Sequence, residues 1–60
     1  MDEDLARIIR KAMAAAEAAG LDHSGQTDHA VEKVLALRSD MTTSSALNAV
    51  NLVRTFLAET

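Results

Sequence analysis

Apolar residues return along the first third of the chain with the spacing of an α-helix. Leu5, Ile8, Ile9, Ala12, Met13, Ala16 and Ala19 follow an i, i+3, i+4 rhythm. At about 100° per residue they share one side of a helix. Arg7, Arg10, Lys11 and Glu17 fall on the other side. The pattern predicts a helix over about residues 3–19. Asp2, Glu3 and Asp4 sit where the positive end of the helix dipole favours anions, and Glu3 and Arg7 are spaced for an i,i+4 pair. Gly20 then supplies a left-handed stop, after which Leu21 can fold back on the last turn.

A second apolar side, made by Ala30, Val31, Val34, Leu35 and Leu37, predicts a helix over about residues 28–38. Thr27 is the expected N-cap, because its hydroxyl can accept a free amide of the first turn, and Asp28 suits that turn electrostatically. Arg38 would close the helix where a cation meets the negative end of the dipole. In the next connection, "RSDMTTSS", Thr42 is the preferred cap of a third helix, with Met41 placed to staple against Ala46, and Asp40 and Thr43 are the other candidates. This helix is predicted over about residues 43–58.

The third helix differs from the other two. Ala46, Leu47, Ala49, Val50, Leu52, Val53, Phe56 and Leu57 cover an arc of roughly 220° on its wheel. A helix at the surface of a small bundle needs a stripe only somewhat wider than about 100°. The rest of its circumference carries Ser44, Asn48, Asn51 and Thr55, all uncharged. Depletion of charge beside an apolar arc suits a contact surface, since the cores of interfaces are poor in charged residues. The plainer reading is that this is simply the central helix of a monomer.

Composition sharpens the fold class. The chain has 60 residues, no proline and no cysteine. It is abundant in alanine, which favours helix throughout. The expected architecture is all-α, a three-helix bundle forming one domain over residues 1–60. A chain of this length buries only about 60% of the surface its unfolded form exposes. With no disulfide or thiolate-bound metal to staple it, association is the remaining common route to stability. The expectation is a homodimer, or a permanent partner protein, with the third helix at the contact. An acidic start and basic residues among the first apolar positions argue against a secretory signal. No apolar run approaches the roughly 20 residues of a membrane span. The expected location is the cytoplasm.

Charge and aromatic content narrow the functions. Six basic and nine acidic residues leave a formal net charge of −3. Nucleic-acid binding depends on neutralising phosphates, and six dispersed cations make a small footprint. There is no tryptophan or tyrosine and only one phenylalanine, Phe56, so single-strand binding by base stacking is disfavoured too. A helix-turn-helix regulator remains the alternative reading, with Ser44, Ser45, Asn48 and Asn51 facing a DNA groove. Against it, the turn lacks a glycine, and Arg54 is the sole basic residue of the third helix.

The stretch "LDHSGQTDHA" holds both histidines, each preceded by an aspartate. His23 and His29 are six residues apart, which does not put two metal ligands on one helix face. A calcium loop starting at Asp22 would need glycine at Thr27 and glutamate at Lys33. Asp22, His23, Ser24 and His29 supply the residue types of a hydrolytic triad, but a triad is a matter of geometry, and three short helices leave little room for a pocket. These residues read as a corner, with Asp22, Ser24, Thr27 and Asp28 in turn and capping roles and the histidines in solvent. No metal, cofactor or catalytic residue is assigned.

"GLDHSGQTDHAVEKVLALR" also resembles the region around the second helix of acyl and peptidyl carrier proteins. There a serine carries phosphopantetheine and a helix of this type follows it. The resemblance implies Ser24 as the attachment point and "AVEKVLALR" as the helix. Gly25 stands where carriers have a hydrophobic residue, and those domains are longer, with four helices. The match covers about a third of the chain. The reading that best accommodates these patterns is a non-catalytic protein-interaction module, a small adaptor, regulator or assembly subunit. Leu47, Asn48, Asn51, Leu52 and Phe56 are its expected contact residues.

Overall fold

A computed structural model describes residues 3–58 as three α-helices: α1 (Glu3–Ala18), α2 (His23–Leu37) and α3 (Thr43–Ala58). They form an all-α three-helix bundle. Each helix delivers one large, fully buried side chain to the centre: Ile9 from α1, Val34 from α2 and Val50 from α3. Leu5, Ala12, Ala30, Ala46, Ala49 and Val53 complete the central cluster. Ile8, Met13, Val31, Leu35 and Met41 pack half-buried around it. Half of the ten buried core positions are alanine, so the helices approach closely but bury little apolar volume apiece. That is the packing counterpart of the marginal stability expected at this length.

Local chemistry explains where each helix begins and ends. α1 stops at a Schellman motif. Gly20 takes a positive φ of 86°, a conformation that costs glycine nothing. The Leu21 amide donates to the Ala16 carbonyl at 3.0 Å, and the Gly20 amide to the Glu17 carbonyl at 2.9 Å. Met41 and Thr42 precede α3 as expected, and the Ser45 amide donates to the Thr42 hydroxyl at 3.1 Å. Thr42 is thus the N-cap of α3.

α2 departs from the sequence-based expectation. It begins at His23, five residues before the expected start at 28, and its N-cap is Asp22 instead of Thr27. The Gly25 amide donates to Asp22 Oδ1 at 2.8 Å, and the Gln26 side-chain amide donates to the Leu21 carbonyl at 2.9 Å. Gly25 serves close packing. A Cβ there would lie 3.1 Å from the Leu21 Cβ and 3.2 Å from Asp22 Oδ1. Glycine therefore lets the incoming chain fold tightly over the first turn of α2. His23 and Ser24 are helical in consequence, not part of a loop.

Thr27, freed from capping, has another role. Its hydroxyl donates to the His23 carbonyl at 3.0 Å. Arg54 of α3 reaches the same place: its Nη2 donates to the His23 carbonyl at 3.0 Å and to the Thr27 hydroxyl. This cross-link sets the late part of α3 beside the start of α2, so the two helices run antiparallel. Four residues, 19–22, join α1 to α2, and so short a connection likewise makes neighbours antiparallel. α1 packs more extensively on α2 than on α3, which leaves the seam between α1 and α3 comparatively open. None of the described helices is long and apolar enough to cross a membrane.

Candidate functional site: the outer face of helix α3

The wide apolar arc of α3 divides in the bundle. Ala46, Ala49, Val50 and Val53 point inward and are buried. Leu52 and Phe56, one turn apart, are each 62% exposed. Leu47 and Leu57 are about 40% exposed. Two neighbours of this size can contact only the inner part of α3, so its flanks stay in water. Isolated exposed apolar residues are ordinary, but adjacent large ones on an uncharged face are the feature that marks contact surfaces.

The five expected contact residues occupy two connected areas and one separate edge. Asn48, Asn51 and Leu52, with Thr55, line a shallow hollow along the outer side of α3. Leu52 and Phe56 also form one wall of a groove of about 460 Å³, whose opposite wall is Glu3, Ala6 and Arg10 of α1. Val53 contributes to the same groove. Leu47 stands five residues before Leu52, which puts it roughly 140° away around the helix. It therefore lies on the opposite flank of α3, across the asparagines from Leu52.

The α1 wall of this groove was missed in the sequence. Glu3, Ala6 and Arg10 are spaced i, i+3, i+7, the signature of one helical flank. That spacing was visible, but no rule of sequence says which flank of α1 meets α3. The wall also adds a carboxylate and a guanidinium to an otherwise uncharged site. They sit on its rim, where charges are common in interfaces.

Arg54, the single cation of α3, turns away from this face. It is held by the first turn of α2, and its Nε is buried without a hydrogen-bond partner among the described residues. The outer face of α3 therefore presents amides, hydroxyls and apolar carbons, with no charge of its own.

The histidine stretch sits elsewhere. His23 is exposed at the first position of α2, and Ser24 is exposed in the same turn. His29, expected in solvent, is half-buried and lines a groove between α1 and α2. Among the described residues no three histidine, aspartate or glutamate side chains come close enough to share a metal ion. The α1–α2 groove measures about 560 Å³. Arg7, Ile8, Lys11, Ala12 and Ala15 line it from α1, and His29, Lys33 and Leu37 from α2. Leu37, expected on the inner side of its helix, is 57% exposed there. As the last residue of α2 it projects beyond the central cluster.

Comparison of the chain with family models, curated proteins and solved structures finds no match.

Proposed function

We propose that this chain is a non-catalytic protein-interaction module, a small adaptor, regulator or assembly subunit, and that the outer face of α3 is its contact surface. The observation that carries the reading is the pair Leu52 and Phe56, each 62% exposed, on a side of α3 that contributes no charge of its own, with Glu3 and Arg10 of α1 at the rim. Both open onto the groove beside α1, where a partner side chain can insert. Asn48 and Asn51 extend the face with donors and acceptors that give a partner its register. The partner that best fits the size of the chain is a second copy. Sixty residues with an alanine-rich core gain little stability alone, and burying the α3 flanks of two copies adds what one copy lacks.

Sedimentation equilibrium tests the proposal directly. The unaltered chain is expected to show a mass that rises from monomer toward dimer with concentration. Leu52→Glu places a charge at the centre of the face, so it should remain monomeric while keeping its helical circular dichroism. Full burial of a leucine contributes roughly 1.5–3 kcal/mol, and Leu52 still has more than half of that to gain. Identical masses for the two chains at every concentration would refute self-contact through Leu52.

A further inference from the structure

We propose that the groove between α1 and α2 is a second docking site, and that it takes an acidic amphipathic helix from another protein. The first argument is charge segregation. The chain is acidic overall, yet three of its six basic residues, Arg7, Lys11 and Lys33, line this one groove. His29 stands beside them, and among the described residues no carboxylate lines it. Asp4 lies 3.8 Å from Arg7, but both side chains are well exposed, so that pair is screened and leaves the guanidinium available. Like charges gathered on two walls repel one another, and an incoming set of carboxylates relieves the repulsion.

The second argument is spacing. Arg7 and Lys11 are i, i+4 on α1, and His29 and Lys33 are i, i+4 on α2. The α1 wall therefore carries two cations one turn apart, a rise of about 6 Å, and the α2 wall sets the imidazole of His29 one turn from the Lys33 ammonium. Glutamates spaced i, i+4 along a third helix repeat at the same interval and meet them in register. Between the walls lie Ile8, Ala12 and Ala15, with the exposed Leu37 at one end. Small alanines allow a helix backbone to approach closely, and an apolar stripe between two acidic rows matches the floor. The docked helix would make a fourth member of the bundle.

Other occupants fit less well. A nucleic acid would set polar phosphates and sugars over an apolar floor, with no Phe, Tyr or Trp there to stack a base. An anionic bilayer is flat, whereas these cations border a concavity. A second copy of α3 presents an uncharged outer face and leaves the cations unmatched. The site is thus independent of the α3 contact.

The test uses the full chain and a labelled synthetic helix, with leucine and alanine on one face flanked by glutamates at i, i+4. A second peptide replaces every glutamate by lysine. Binding is read by fluorescence anisotropy at low and at high salt. The glutamate peptide is expected to bind, more weakly as salt rises, and the lysine peptide not to bind. Lys11→Glu with Lys33→Glu should weaken the glutamate peptide at least about tenfold. The milder Lys11→Gln with Lys33→Gln should weaken it less, which keeps the test informative if the reversal impairs folding. Leu52→Glu should leave binding unchanged, separating this site from the α3 face. The proposal is overturned if the glutamate peptide does not bind, if both peptides bind alike, or if the lysine replacements have no effect. It is also overturned if duplex DNA or phosphatidylglycerol vesicles bind the groove in preference to the peptide.

Discussion

Replacing Ile9 by alanine examines the core that all else rests on. Ile9 is fully buried, and it is the largest of the three side chains, one per helix, that meet at the centre. The change removes three carbons. At about 0.8 kcal/mol for each, the lost transfer energy is roughly 2.4 kcal/mol. The buried cluster that holds it includes Ala12, Ala30, Ala46 and Ala49, which have no rotamers with which to fill the space. A cavity penalty therefore adds, and the expected total is about 3–4 kcal/mol. A chain of this size has about 3–9 kcal/mol of stability in all. The substitution should then remove a third or more of it. Urea unfolding followed by helical circular dichroism measures the loss, with both chains at one concentration so that association contributes equally. Ile9→Val, losing one carbon, should cost about 1 kcal/mol. The half-buried Ile8 is the internal control, because Ile8→Ala leaves a gap that water can enter. A loss below about 1 kcal/mol for Ile9→Ala, or a larger loss for Ile8→Ala, would refute this account of the core.

Two further substitutions examine the start of α2. Asp22→Ala removes the acceptor for the Gly25 amide and should cost about 1 kcal/mol. Faster hydrogen exchange should be confined to the first turn of α2, with exchange in α3 unchanged. Arg54→Met keeps much of the stem but deletes the bonds to His23 and Thr27. It also removes the unpaired buried Nε. These effects oppose each other, so global stability should change by less than about 1 kcal/mol. Exchange at the first turn of α2 should nevertheless quicken, and a loss of several kcal/mol would contradict the balance.

The candidate site was partly legible in the chain. The width of the apolar arc on α3 was a count of positions, and counting was enough to expect part of the arc to lack cover, while the fold decided that Leu52 and Phe56 are its most exposed large residues. Where α2 begins was not legible. Asp22 and Thr27 are both good capping residues, and the glycine between them resembles a turn. The choice goes with how closely Leu21, leaving the Schellman turn of α1, lies over Gly25, where a Cβ would come within 3.1 Å of the Leu21 Cβ. The basic groove was equally hidden. Arg7, Lys11 and Lys33 come from separate stretches, and on each helix taken alone they read as solvated positions.

What the order of residues determined by itself is local. The 3.6-residue period made three helices, Gly20 ended the first through its left-handed backbone, and Thr42 opened the third by capping. These follow from interactions within a few residues, so no tertiary contact is needed to predict them. The tertiary structure decided which flank of each helix faces which neighbour. It turned Arg54 onto the first turn of α2, left Leu52 and Phe56 beside Arg10, and gathered three cations around one groove. The reason is that a helix fixes side-chain directions only about its own axis. Rotation and placement of one axis against another are settled by how a small, alanine-rich core closes.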